Sequence, residues 1–144
     1  SPLSAGWIAD DTVSLGQLCL DGSDVYWNEV RANDNGRSVV CKLGEKGVVE
    51  DFSPPNGNVR SRVHEYGGGA YFVERGELWY SDVNDGRVWH KSRDGTAVPI
   101  TSGENCRYAD LVRDPNLVLR SNYLNIKYLW NLKFFLQNTL LFFL

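Results

Sequence analysis

Short runs of apolar and aromatic residues, separated by turn residues, fill the chain up to residue 53. Runs of this length bounded by Gly, Asn, Asp and Ser are typical of β-strands. In the clearest run Val39, Cys41 and Leu43 alternate with polar positions and therefore share one face. The pattern predicts four strands, over Ser14–Leu20, Asp24–Arg31, Arg37–Leu43 and Val48–Phe52.

A second group of runs follows a proline-containing break at Ser53–Gly57, where the prolines cannot donate to a strand ladder. It predicts strands over Ala70–Glu74, Glu77–Val83, Arg87–Ser92 and Val98–Thr101. The turns within both groups are short, as antiparallel neighbours require. Asn35-Gly36 in the first group is the preferred pair for a tight hairpin.

The two groups repeat each other. Asp24–Trp27 aligns with Glu77–Tyr80, and Gly36–Val39 aligns with Gly86–Trp89. A four-strand unit that recurs every ~40–55 residues is typical of propeller blades. We therefore predict an all-β fold: an incomplete β-propeller of about two four-stranded antiparallel blades, with a third beginning at Cys106–Asp110. On spacing alone, a single β-sandwich remains the alternative.

The run Arg62–Gly69, R-V-H-E-Y-G-G-G, is the most distinctive in the chain. With Ser1–Ser4 before it and Arg107–Asp110 after it, the run resembles the amino-terminal propeller of the prolyl oligopeptidase (S9) family of serine peptidases. The likeness is to the acylaminoacyl-peptidase and dipeptidyl-aminopeptidase branch and covers residues 1–116. It implies a parent protein that hydrolyses peptide or acyl-amino-acid bonds. In such a parent a propeller gates access to an α/β-hydrolase domain, whose catalytic serine lies in a G-x-S-x-G turn.

No serine in this sequence has glycine two residues before and two residues after it, and His64 and His90 are the only histidines. The sequence therefore lacks the arrangement of residues that nucleophilic catalysis requires. We predict a truncated, inactive propeller region with no catalytic, cofactor-binding or metal-binding residue. The alternative is a fragment of a non-enzymatic YWTD-type binding propeller, which Glu77–Asp82 and Gly86–Trp89 resemble. A third interpretation is a β-sandwich binding module.

Four residues of the distinctive run are candidates for a blade junction or the propeller channel: Arg62, His64, Glu65 and Tyr66. A zinc helix is not expected, because His64-Glu65 lacks a second histidine four residues on and glycines follow. Gly67–Gly69 precede a strand instead of a helix, so we expect close backbone approach or positive φ there, not a phosphate site.

The recurring aromatic residues are predicted to form the core between blades: Tyr26, Trp27, Tyr71, Phe72, Trp79, Tyr80 and Trp89. Asp82, Asp85 and Asp94 are interpreted as solvated turn residues instead of calcium ligands. Because two blades leave sheet faces uncovered, the isolated chain is expected to self-associate.

The charge and the cysteines limit the partners and the compartment. The net charge of -3 does not favour nucleic-acid binding. Three separated cysteines without a C-x-x-C pair are typical of free thiols in a reducing compartment, so an intracellular protein, cytoplasmic or plastid and not secreted, is expected. A peptide substrate is expected only for the full-length parent.

The tail, residues 117–144, differs from residues 1–116, since it lacks Gly, Pro, Asp and Glu. Its residue types are those of A/T-rich codons, which indicates a retained intron or a frameshift outside the fold. A poorly specified helix is the structured alternative. A membrane span is not expected, because Asn131, Lys133, Gln137 and Asn138 interrupt its most apolar part.

Overall fold

The computed structural model describes residues 13–63, 68–102, 106–114 and 117–125, most of them in strands. Blade 1 consists of β1 (Val13–Asp21), β2 (Asp24–Arg31), β3 (Arg37–Leu43) and β4 (Val49–Asp51). Blade 2 consists of β5 (Tyr71–Glu74), β6 (Glu77–Ser81), β7 (Val88–Lys91) and β8 (Ala97–Pro99). A further pair consists of β9 (Cys106–Asp114) and β10 (Leu117–Asn125).

Each blade is a four-stranded antiparallel sheet whose strands follow in chain order. The prediction of two such units is confirmed, and β2 and β3 have the predicted bounds. The β2–β3 connection differs in detail, since a 3₁₀ turn over Ala32–Asp34 precedes Asn35 and Gly36. Both of these residues have the expected positive φ, 51° and 70°, but they close a longer turn than a two-residue hairpin.

A buried apolar layer lies between the two blades. Tyr26 and Val40 of blade 1 pack with Leu78 of blade 2, and all three are fully buried. The complete layer comprises Tyr26, Val40, Val59, Ala70, Tyr71, Val73, Leu78 and Tyr80. The predicted aromatic core is therefore confirmed for these tyrosines, which a pleated surface accommodates well.

A smaller layer joins blade 2 to the third unit. Trp79, Val88 and Leu111 are buried there, with Phe72 and Tyr108 packed against them. The first strands of the three units lie side by side. β5 contacts β1 of blade 1, and it also contacts β9 of the third unit. In a propeller the first strands of successive blades are neighbours around the central axis, so this arrangement confirms the predicted incomplete propeller.

The other face of blade 1 is partly open in the described part of the chain. A β-bulge between Gly16 and Leu18 interrupts β1, and Leu15, Leu18 and Leu20 are 71%, 69% and 64% exposed. On the opposite side of the same strand, Cys19 packs against the layer shared with blade 2. The β3 residues on the same face as these leucines, Val39 and Cys41, are fully buried, so this face of blade 1 is uncovered only in part.

The tail departs from the helical alternative. Leu117–Asn125 forms β10, which pairs antiparallel with β9, because the edge of β9 offers backbone partners that a helix would leave unused. Residues 126–144 lie outside the described residues, so a domain boundary at residue 116 stays a prediction. No helix in the described ranges is long and apolar enough to cross a membrane.

Replacement of Leu78 by alanine should lower the free energy of unfolding by about 2–5 kcal/mol, because it leaves a cavity in the layer between the blades. Leu18→Ala is the matched control, and its effect should stay within about 0.5 kcal/mol, since Leu18 is exposed. Urea unfolding of both variants measures the difference. Equal losses would show that the inter-blade layer is not the core.

Candidate functional site at the junction of the blades

The chain passes from blade 1 to blade 2 through residues 58–63, which we call the junction segment. The amide of Val59 donates to the Ser38 carbonyl at 2.8 Å, and the amide of Arg60 donates to the Ser81 carbonyl at 3.1 Å. Val59 also forms an isolated antiparallel bridge with Asp82. The segment is therefore hydrogen-bonded to both blades, which fixes their relative position.

The junction segment is also tied to β9. The hydroxyls of Ser61 and Ser81 both donate to the Tyr108 carbonyl at 2.7 Å, and both serines are buried. A carbonyl oxygen has two lone pairs and can accept both bonds. Nη1 of Arg107 donates to the Arg62 carbonyl at 2.8 Å. One short segment thus joins all three units.

A cleft of ≈ 230 Å³ opens between the junction segment, the end of β6 and the start of β9. Its lining consists of Arg60, Ser61, Arg62, Ser81, Asp82, Val83, Gly86, Cys106, Arg107 and Tyr108. Arg60 and Arg62 are exposed. Within the described ranges, none of the three lining arginines forms a salt bridge. The cleft is consequently a concave surface whose three guanidinium groups have no carboxylate partner within the part of the chain that the structure describes.

Asp82 is the acidic member of this lining, and it is 6% exposed. Its carboxylate accepts the amides of Asn58 at 3.3 Å and Asn84 at 2.8 Å. Burial raises the pKa of Asp82 above its ordinary value, although these two amide bonds lower it in part. The prediction of a solvated turn residue is wrong for Asp82, because its side chain closes the turn from inside. It is correct for Asp85 and Asp94, which are exposed.

Of the four predicted site residues, the structure describes Arg62 alone. Its side chain is exposed at the cleft, and its carbonyl holds Arg107. His64, Glu65 and Tyr66 lie outside the described residues, so their role at the junction or in the channel stays a prediction.

Gly68 and Gly69 lie where the segment that leads into β5 comes unusually close to β9. A Cβ atom on Gly68 would stand 2.8 Å from the Cβ of Ala109. The Gly69 amide donates to Oδ1 of Asp110 at 2.8 Å, and the Asp110 amide donates to the Gly69 carbonyl at 2.7 Å. Close backbone approach is thus confirmed for these two glycines. Neither has positive φ, which was the alternative reason for glycine here.

Gln17 is a structural residue that no motif in the sequence indicates. Its side-chain Nε2 donates to the Tyr71 carbonyl at 2.6 Å, and its Oε1 accepts the Ala70 amide at 2.8 Å. The Tyr71 hydroxyl donates to the Gln17 carbonyl at 2.6 Å. The one sequence signal is a polar residue next to Gly16 in an otherwise alternating strand, where a bulge redirects the side chain.

Other chemically active side chains do not assemble into a reactive site in the described part of the chain. His90 lies 3.0 Å from Glu77 and stacks on Trp79, with 4.7 Å between ring centroids. The three cysteines are free thiols, and burial raises the pKa of Cys41 to about 11, which disfavours its reactive thiolate. The described residues contain no group of three or more His, Cys, Asp or Glu that could hold a metal ion.

Comparison with known proteins finds relatives among solved structures. No protein-family model matches the chain, and no curated protein does. A puromycin-hydrolysing peptidase of Mycobacterium tuberculosis matches 81% of this chain at 30% identity and a TM-score of 0.70. A puromycin hydrolase, and a mutant of a puromycin hydrolase complexed with PGG, each match 81% at 27% identity and a TM-score of 0.65. The chain spans 19% of the first structure and 20% of the other two.

Gly68→Ala should lower the free energy of unfolding by about 1–3 kcal/mol, because the new methyl group would overlap Ala109. Gly16→Ala is the control, since a Cβ there would meet its nearest neighbour at 3.9 Å, an ordinary contact. The double variant with Ala109→Gly should recover part of the loss measured by urea unfolding. The absence of any recovery would contradict the close approach.

The titration of Asp82 should lower the free energy of unfolding as the pH rises. Because the pKa of Asp82 is raised in the folded state, the folded chain holds this proton more tightly than the unfolded chain does. The contribution of Asp82 to the free energy of unfolding therefore declines as the pH rises from about 3.8 to the folded-state pKa. The unfolding free energy of the unmodified chain, minus that of Asp82→Asn, should decrease over this window. Asp94→Asn is the control of opposite sign, because the Ser92 hydroxyl lowers the pKa of Asp94. A difference for Asp82 that is flat or rises with pH would contradict this account.

Proposed function

We propose, from the premise that this chain belongs to the prolyl oligopeptidase (S9) family of peptidases and corresponds to its amino-terminal propeller, that it gates substrate access for a serine peptidase. Under this proposal its blades supply walls and an entrance, whereas the catalytic groups belong to a hydrolase domain. The parent hydrolyses small peptides or acyl-amino acids.

The observation that carries the proposal is the match to the M. tuberculosis peptidase over 81% of the chain. A match of that extent takes in more of the chain than either blade occupies alone, and the two blades share a continuous core. Its 30% identity supports a shared role in addition to a shared fold. The matched relatives are a puromycin-hydrolysing peptidase and puromycin hydrolases, and this supports hydrolysis as the reaction of the parent.

The arrangement of the first strands supports a gating role. β1, β5 and β9 lie side by side, so in a closed ring they would line the channel. Gln17 and the junction segment fix these strands by hydrogen bonds between blades. A rigid channel wall can exclude a substrate by size, whereas a loosely packed wall would open.

The partly uncovered face of blade 1 supports the presence of further blades in the parent. Its exposed leucines match the apolar character of the faces that are buried between blades. The matched structures are about four times as long as this chain, so they have ample sequence for such blades. We therefore assign this face to another blade of the same polypeptide. The comparisons give no support to a YWTD-type binding module.

A graft tests the gating role. Residues 13–114 would replace the matched region of the M. tuberculosis peptidase. The graft should hydrolyse a chromogenic dipeptide substrate but leave a long unstructured polypeptide intact, because the restored ring limits entry by size. A second graft with Leu78→Ala should keep the first activity and begin to cleave the long polypeptide, since its inter-blade packing is weakened.

The 144-residue chain alone should hydrolyse neither substrate. A folded graft that cleaves the long polypeptide as readily as the dipeptide would contradict gating. Hydrolysis that purifies with the 144-residue chain, and is lost when one of its serines is replaced by alanine, would contradict the assignment of catalysis to another domain.

A further inference from the structure

The three arginines of the cleft differ from the paired arginines elsewhere in the described chain. Arg31 forms ion pairs with Glu29 at 3.1 Å and with Asp51 at 2.6 Å. Arg37 pairs with Asp34 at 2.5 Å. Those guanidinium groups are neutralised on the blades. The arginines of the cleft, Arg60, Arg62 and Arg107, have no such carboxylate partner among the described residues.

The buried polar side chains of the cleft already have hydrogen-bond partners within the protein. The hydroxyls of Ser61 and Ser81 are both committed to the Tyr108 carbonyl, and the Asp82 carboxylate accepts two backbone amides. Guanidinium N–H groups are the charged donors that the lining offers to a ligand. One N–H of Arg107 is used on the Arg62 carbonyl, which holds this side chain in place before any ligand arrives.

We propose that the cleft is a binding site for the carboxylate of a peptide ligand. A guanidinium group presents its donors as a planar fork that matches an oxyanion in two parallel hydrogen bonds. Three neighbouring cations also repel one another, and a bound anion relieves this repulsion. The ≈ 230 Å³ of the cleft is below the ~300–1,000 Å³ usual for drug-sized ligands, so it suits the end of a peptide instead of a whole ligand.

Asp82 favours a carboxylate over a phosphate group. Its side chain contributes to the same lining, and its negative charge repels a dianion more strongly than a monoanion. Binding at this cleft goes beyond the gating role and does not require the parent's hydrolytic activity. The two proposals can therefore fail separately.

The test is a titration of the 144-residue chain with N-acetyl-triglycine, followed by backbone amide NMR and calorimetry. The free acid should bind saturably, shift the amides of Ser61 and Arg107, and bind at least tenfold more tightly than the carboxamide form of the same peptide. Inorganic phosphate, the second arm, should bind more weakly than the acid. Raising the salt concentration should weaken binding, because the exposed arginines are screened.

Arg60→Gln should lower the affinity for the acid about tenfold, and Arg60→Lys should recover part of this loss. The Arg60 side chain is exposed and forms none of the hydrogen bonds that hold the blades together in the described chain, so the variant should fold. Arg93→Gln is the control with the same charge change in the β7–β8 turn, and it should bind as the unmodified chain does. Equal binding of acid and amide, tighter binding of phosphate, or the same loss in Arg93→Gln would each overturn the proposal.

Discussion

Packing between blades is the constraint on which the rest of this structure depends. Tyr26 and Val40 on one sheet and Leu78 on the next are fully buried against a shared layer. Burial of each large apolar side chain contributes about 1.5–3 kcal/mol, and this contribution exists only while both sheets are in place. The larger buried cluster of the described chain takes residues from both blades, so each blade depends on its neighbour for stability.

Polar contacts between blades act on this apolar layer by fixing its geometry. Gln17 connects β1 to the start of β5, and the junction segment connects blade 1, blade 2 and β9. In the described residues every buried side-chain nitrogen and oxygen has a hydrogen-bond partner. Because unpaired buried polar groups are costly, these contacts favour one relative placement of the blades. The same placement creates the cleft and brings its three arginines together.

The sequence predicted the strands well because their signals are local. Alternation and turn residues placed β2 and β3 at their observed bounds. The aromatic repeat also predicted the buried positions of Tyr71 and Tyr80, since both blades use equivalent strand positions. The sequence predicted that Gly68 lies at a site of close approach, but it did not predict that Ala109 is the residue approached.

Contacts between distant parts of the chain were not predictable. Asp82 resembles any other turn aspartate in sequence, and its burial arises from the junction segment that crosses it. The arginine cleft joins Arg60 to Arg107, which are far apart in the chain. The strand at Leu117–Asn125 likewise depends on the exposed edge of β9, not on the composition of the tail.

Native-state amide hydrogen exchange of Val73→Ala tests the mutual dependence of the blades most directly. Val73 lies in β5 of blade 2 and is 2% exposed in the shared layer. If the blades stabilise each other, the variant will lower the opening free energy of the β3 amides in blade 1 by about as much as that of the β6 amides in blade 2. A loss confined to blade 2, with β3 unchanged, would contradict this account.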